Sequence, residues 1–140
     1  MAEVVVRLPK PAATLSPNSV CGTTPQGVWQ MHLAHVGAVK KARKQAWQLA
    51  TAAHAPEGFQ PREYTLVWYY KGAKRDADNC LARCKAYLDG CADAWGSNDR
   101  DWECGGIRRV HSKAMSDCIE LRFTDSAFVD WDAEGGFKLC

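Results

Sequence analysis

The sequence lacks the features that would place it in a specialised class of protein. No apolar run approaches the roughly 18 residues that a membrane-spanning helix needs. The first residues, MAEVVVRLPKP, lack the basic stretch, the long apolar stretch and the cleavage site of a signal peptide. We therefore expect a cytoplasmic protein without membrane association. The 140 residues, 46% apolar and 24% charged, are typical of a single globular domain.

The seven cysteines lack both an even count and the C-x-x-C spacing that would favour disulfides or a zinc site. We expect reduced thiols. Spacings of four and seven residues place Cys80, Cys84 and Cys91 on one helical face, shared with Tyr87 and bordered by Leu88. The simplest interpretation is that these cysteines are small core side chains.

The net charge of +2 hides an asymmetry. Residues 125–140 carry four acidic side chains and only Lys138 as a base, whereas residues 1–124 carry 17 basic and 12 acidic side chains. The larger part is mildly basic, which is compatible with nucleic-acid binding but not diagnostic of it. We take residues 1–124 as the domain and residues 125–140 as an acidic tail, part of that domain or a surface extension.

Hydrophobic periodicity predicts an α+β fold of order β-α-β-α-β-β, with the helices packed on a mixed sheet. A proline-rich irregular segment, 9–27, follows the first strand. The last two strands are predicted to form a hairpin around Ser116. The predicted strands are 3–8, 63–71, 107–115 and 117–125, and the predicted helices are 36–55 and 79–95.

The stretch KRDADN, residues 74–79, places two carboxylates directly before the second predicted helix. The simplest interpretation is structural: Asp78 caps the helix, and Asp76 is solvated beside Arg75. A calcium loop is excluded because Leu81 stands at the sixth position, where such a loop needs glycine.

A magnesium site would need a third carboxylate. The predicted helix is about 25 Å long, and the following loop can return to the sheet, bringing Asp99 or Asp101 to the Asp76 and Asp78 pair. Mg²⁺ prefers hard oxygen ligands, and one or two such ions can activate water and stabilise the leaving oxygen of a phosphodiester.

A lysine on the helix adds a positive charge to this candidate site. Lys85 follows Asp78 by seven residues, so both point the same way. It can neutralise an attacked phosphate, or it can simply pair with Asp89 on the helix surface.

Basic side chains around the motif can neutralise nucleic-acid phosphates without reading sequence, although each cluster alone is more simply a solvated face. Among the six tryptophans, Trp95 and Trp102 flank the acidic loop and are the candidates for base stacking. The residues predicted to contact nucleic acid are Lys71, Lys74, Arg75, Asn79, Arg108 and Arg109.

The segment KRDADNCLARCKAYLDGCADAWGSND resembles the core of the RusA-type Holliday-junction resolvases, especially their phage and prophage branch. That branch has an R-D-x-D-N start, a helix with K-x-x-L-D-G, and then G-x-D-D and an aromatic residue. The N-terminal LPKPAATLSPNS is similar to the family's L-P-x-P and P-N pattern. The resemblance runs in register over residues 4–124. The matching positions are Arg75–Asn79, Lys85, Leu88, Asp89, Gly90, Gly96, Asp99 and Trp102, with Leu8, Pro9, Pro11, Pro17 and Asn18.

The resemblance implies a small homodimeric endonuclease that depends on Mg²⁺, with Mn²⁺ able to substitute, and uses no nucleotide cofactor. Such enzymes nick four-way DNA junctions in recombination, repair or phage DNA processing, here in the cytoplasm of a bacterial host. By position, Asp76, Asp78 and Asp99 would be the metal ligands, and Lys85 would join them as a catalytic residue. Some members place the lysine one turn nearer the motif, where this chain has Ala82 and Arg83.

One departure keeps alternatives open, because the usual Asp-Asp pair appears as Asn98-Asp99. If the second acid is the ligand, Asp99 keeps the site. If both acids are needed, the chain is a catalytically weak or inactive protein that binds branched DNA. A third alternative, another D-x-D metal enzyme such as a nucleotide-sugar transferase, lacks an evident nucleotide-binding segment.

Overall fold

The computed structural model describes residues 2–15, 25–125, 129–131 and 137–139. Within these residues the predicted α+β fold is confirmed, with three α-helices and a four-stranded mixed sheet. Short 3₁₀ helices occupy Ala13–Leu15 and Asp99–Asp101. The main elements are β1 (Glu3–Pro9), α1 (Pro25–Ala52), β2 (Glu63–Tyr70), α2 (Ala77–Arg83), α3 (Lys85–Trp95), β3 (Glu103–His111) and β4 (Cys118–Thr124).

The strands lie in the order β1-β4-β2-β3. β4 pairs antiparallel with both β1 and β2, and β2 pairs parallel with β3. The predicted hairpin between 107–115 and 117–125 is therefore wrong, because β2 lies between the two strands. β4 takes a central position because its Ile119, Leu121 and Phe123 are fully buried, whereas β3 is largely exposed and forms an edge.

The core lies between one face of the sheet and the helices. Alternate residues of each central strand, such as Leu66 and Trp68 of β2, point into it. α1 contributes the small residues Ala42, Ala46 and Ala50, so its backbone packs closely on α3. Beside this contact, Arg43 donates hydrogen bonds of 2.6 and 2.8 Å to the two carboxylate oxygens of Asp93.

α1 begins eleven residues before the predicted start at residue 36. Pro25 occupies its first position, where a missing backbone N–H costs nothing and the fixed φ suits a helix. The glycines and prolines before residue 28 led to the prediction of an irregular segment over 9–27. That prediction is wrong for Pro25 to Gly27, and residues 16–24 lie outside the described part of the chain.

The helix predicted over 79–95 is divided at Cys84, whose φ of −95° and ψ of 0° end α2 and start α3. Asp76 is the N-cap of α2, although its side chain makes no capping hydrogen bond. Asp78 lies in the first turn, so its prediction as the cap is wrong. The helix already begins at Ala77, so Asp76, whose backbone is extended, occupies the N-cap position.

The cysteine face is core, as predicted. Cys80, Cys84 and Cys91 are fully buried, and burial raises the pKa of the Cys91 thiol to about 12. These three, together with Cys104 and Cys118, are free thiols.

The predicted acidic tail contains two short strands, β5 (Val129–Trp131) and β6 (Phe137–Leu139), which pair antiparallel as a separate two-stranded sheet. The rest of the tail after Asp125 lies outside the described residues, as do Pro17 and Asn18 of the N-terminal pattern. None of the helices within the described ranges is both long and apolar enough to cross a membrane.

Candidate functional site

A cleft of about 600 Å³ opens where α2 and α3 face the 3₁₀ turn Asp99–Asp101. Asp78 from the first turn of α2, Lys85 from the start of α3 and Asp99 from the turn all line it. The loop after α3 thus returns to the helix start, as the sequence predicted, and Asp78 and Lys85 share one side despite the break at Cys84.

The wall of the cleft is largely apolar. Tyr64, Leu81 and Leu88 line it, and burial raises the pKa of the Tyr64 hydroxyl. Arg100 adds a second cation to the lining beside Lys85. The sequence analysis missed Tyr64 and Arg100, because neither belongs to the motif and only the packing of β2 against the turn brings them there.

Lys85 bridges two carboxylates. Its Nζ donates to Oδ1 of Asp89 at 3.0 Å and to Oδ2 of Asp99. Burial lowers the pKa of Lys85, but its bonds to Asp99 and Asp89 outweigh burial and raise that pKa. Burial raises the pKa of Asp99, but the hydrogen bond from Lys85, the charge of Lys85 and weaker hydrogen bonds together outweigh burial, so the net pKa is lowered. The two groups therefore form a charged pair at neutral pH.

The three carboxylates predicted as metal ligands are not equivalent. Asp78 and Asp99 line the cleft, whereas Asp76 is an exposed N-cap outside its lining. Within residues 2–15 and 25–125, no three His, Cys, Asp or Glu side chains form a group that could hold a metal ion. Carboxylate oxygens suit Mg²⁺, so the pair in the cleft fits this ion in kind, while the Lys85 ammonium already occupies one oxygen of Asp99.

Asn98 stands where the resemblance places an aspartate. It is the N-cap of the 3₁₀ turn, and its side-chain oxygen accepts a hydrogen bond from the Arg100 backbone N–H at 3.2 Å. In this chain the side chain at position 98 therefore stabilises the turn that carries Asp99.

The predicted nucleic-acid contacts divide between two surfaces. Lys71, Lys74 and Arg75 are exposed in the connection from β2 to α2, and Asn79 lies half-buried in the first turn of α2. Arg109 joins this group, because its Nη1 donates to the backbone oxygen of Arg75 at 3.0 Å.

Arg108 lies elsewhere. It lines a shallow cavity of about 180 Å³ with Thr65, Val67 and Arg122, on the sheet face away from the helices. Neighbouring residues of a strand point to opposite faces, so Arg108 and Arg109, both predicted to contact nucleic acid, lie on different faces of the sheet.

Two further cations were not predicted from the sequence as nucleic-acid contacts. Lys10 and Arg83 both lie over the ring of Trp68, at 5.1 and 5.3 Å from its centre. They are 73 residues apart in the sequence, and no motif connects them. Only the packing of α2 against the end of β1 brings them together.

The two tryptophans named as candidates for base stacking differ in burial. Trp102 is buried, packs edge-on against Phe123, and donates from Nε1 to Ser97 Oγ at 3.0 Å. Trp95 also packs edge-on against Phe123, at 4.8 Å between ring centres. Base stacking is therefore wrong for Trp102, whereas Trp95 is half-buried and also lines a cavity of about 460 Å³.

No protein-family model matches this chain, and no curated protein matches it. The resemblance to RusA-type resolvases therefore rests on the sequence motifs alone.

Proposed function

We propose that this protein is a Mg²⁺-dependent, structure-selective endonuclease that resolves four-way or branched DNA junctions by paired nicks, as the motif resemblance implies. One observation supports the proposal most strongly. Asp78 and Asp99, 21 residues apart in the sequence, line a single cleft together with Lys85.

The roles follow from position and charge. Asp78 and Asp99 would hold Mg²⁺, with Asp76 as a third ligand from the adjoining cap. A bound ion of this kind activates a water and stabilises the leaving oxygen of a phosphodiester. Lys85 is protonated at neutral pH, and a phosphate oxygen entering the cleft can replace Asp99 as its hydrogen-bond acceptor.

The surroundings suit a large polyanion. Lys71, Lys74 and Arg75 are exposed beside the start of α2, where they can contact backbone phosphates without reading sequence. A homodimer is part of the proposal, because a four-way junction has two-fold symmetry and paired nicks need two sites.

A second candidate function is branched-DNA binding without catalysis. Two features of the described residues favour it. The Lys85 ammonium pairs with Asp99 and would compete with a metal ion for that carboxylate. Within the described part of the chain, no three acidic side chains lie close enough together to hold a metal ion. Asn98, in place of the usual acid, points in the same direction.

The deciding experiment is cleavage of a synthetic four-way junction with Mg²⁺, with junction binding measured in parallel. Asp78→Asn and Asp99→Asn are expected to lower the nicking rate at least about 100-fold while junction binding is retained. Asp76→Asn tests the third ligand. Asp101→Asn is the matched control, because Asp101 is exposed in the same turn and does not line the cleft.

Each outcome has a distinct meaning. Binding without nicking by the wild-type chain would favour the second candidate. If the wild-type chain neither binds nor nicks the junction, both candidate functions are refuted. Loss of nicking in Asp101→Asn as large as in Asp99→Asn would show that the cleft is not the catalytic site.

A further inference from the structure

Four cations from four parts of the chain lie close together, outside the cleft lined by Asp78 and Asp99. Lys10 follows β1, Arg75 precedes α2, Arg83 ends α2 and Arg109 lies on β3. Arg83 is almost fully buried, Lys10 and Arg109 are half-buried, and Arg75 is exposed. Exposure therefore increases from Arg83 through Lys10 and Arg109 to Arg75.

Backbone carbonyls hold three of these four cations in place. Lys10 Nζ donates to the oxygen of Tyr69 at 2.7 Å, and Arg83 Nη2 donates to the oxygen of Pro11. Arg109 donates to the oxygen of Arg75 in the same way. A carbonyl satisfies a donor but carries no net charge, so these bonds orient the cations without neutralising them.

Asp76 directly follows Arg75, but it forms no ion pair with any of these four cations. The ion pairs found within the described residues involve none of the four cations. Residues 4–56 contain no Asp or Glu at all, so the chain around Lys10 and residues 16–24 supplies no carboxylate. The charge of Asp117 raises the pKa of Lys10 by less than burial and the neighbouring cations lower it.

Arg83 is the most deeply buried of the four cations. Its side chain lies against the Trp68 ring, the residue is 5% exposed, and its Nε has no hydrogen-bond partner within the described residues. Burial lowers the pKa of Arg83, and the charge of Arg75 lowers it further. A buried guanidinium without a counter-charge is costly, and an anion beside it would relieve that cost.

The cations also repel one another. Burial lowers the pKa of Lys10, and Arg75 and Arg83 lower it further. Arg109 is the β3 partner of Trp68 in the β2–β3 register, and Lys10 and Arg83 both lie over the Trp68 ring. Arg75 joins them through the hydrogen bond that its backbone oxygen accepts from Arg109, so one small region contains four positive charges.

We propose that Lys10, Arg75, Arg83 and Arg109 form a binding site for a single tetrahedral oxyanion, either a phosphate group of a nucleic-acid backbone or free phosphate. Arg83 forms the base of the site, Lys10 and Arg109 its sides, and Arg75 its rim. The arginines present planar N–H donors that match phosphate oxygens, and Lys10 adds a point charge. The site does not depend on nuclease activity, so its test is one of binding.

The test is a titration of the full chain with inorganic phosphate, followed by NMR of the arginine Nε–H signals at constant ionic strength. We expect a saturable shift of the Arg83 signal. Lys10→Gln and Arg109→Gln should each weaken phosphate binding roughly tenfold, the loss expected for one charge-assisted hydrogen bond. Arg62→Gln is the matched control. It also removes one positive charge, but Arg62 is exposed and directly precedes the opposite end of β2.

A second arm identifies the source of the phosphate. A short DNA duplex replaces the phosphate ion, and each variant is measured again. DNA binding that falls in Lys10→Gln and Arg109→Gln but not in Arg62→Gln assigns the site to a backbone phosphate. Weaker phosphate binding with unchanged DNA binding assigns it to a free ion.

Two results would overturn the proposal. One is a wild-type titration in which neither phosphate nor DNA gives a saturable shift of the Arg83 signal. The other is a loss of phosphate affinity in Arg62→Gln as large as in Lys10→Gln and Arg109→Gln, because the effect would then depend only on net charge. If Lys10→Gln is less stable than wild type by thermal unfolding, the comparison of Arg109→Gln with Arg62→Gln decides alone.

Discussion

The packing of α1 on α3 predicts opposite effects for the same substitution at two helical glycines. A Cβ built on Gly90 would overlap the backbone oxygen of Arg43 and lie 2.7 Å from the Cβ of Ala46. A Cβ built on Gly37, in the interior of α1, meets nothing within 4 Å. Gly90→Ala should therefore destabilise the fold, whereas Gly37→Ala should stabilise it.

The magnitudes follow from two competing effects. Replacing an interior helical glycine by alanine favours the helix by up to about 1 kcal/mol, and at Gly37 nothing opposes this gain. Overpacking a core costs about 1–3 kcal/mol. The upper part of that range applies at Gly90, because the obstructing atoms include backbone that cannot rotate away. The net loss at Gly90 is then about 1–2 kcal/mol, which lowers Tm by roughly 3–8 °C.

The assay is thermal and urea unfolding of both variants and of wild type, followed by circular dichroism at 222 nm. Gly37→Ala should raise Tm by about 2–4 °C. A Gly90→Ala protein at least as stable as Gly37→Ala would refute the close approach of the two helices. The same result would also count against the geometry assigned to the cleft, because Lys85 lies on α3.

Two further predictions concern side chains around the site. The pKa of Asp99 is lowered mainly through Lys85 against the opposing effect of burial, so its contribution to stability is present above about pH 4 and is lost as the pH falls through the folded-state value. Asp99→Asn should thus lower Tm at pH 7 and flatten the decline of Tm on acidification, and an unchanged pH profile would contradict the charged pair. Thiol labelling of the native chain, mapped by mass spectrometry, should modify exposed Cys104 quickly and spare Cys84 and Cys91, whose pKa values burial raises. Equal rates at the three positions would contradict the buried face.

Local features were predictable from the sequence because they depend on the geometry of one element. The seven-residue spacing places Asp78 and Lys85 on one side, and the cysteine spacing of four and seven defines a buried face. The break at Cys84 was not predictable in this way, since the residues around it are ordinary helix formers. Strand alternation also implies that Arg108 and Arg109 point to opposite faces of the sheet.

The sequence by itself indicated the four strands of the main sheet and the larger part of the helices, because burial has a period of two in a strand and 3.6 in a helix. It did not indicate the first eleven residues of α1 or the break at Cys84. It did not determine which strands pair, because alternation in β3 and β4 is satisfied by any neighbour that completes the core. Tertiary structure alone decided that Trp102 is core and that Lys10 meets Arg83 across 73 residues. Contacts over such separations arise only when packed elements bring distant parts of the chain together, and no local pattern encodes them.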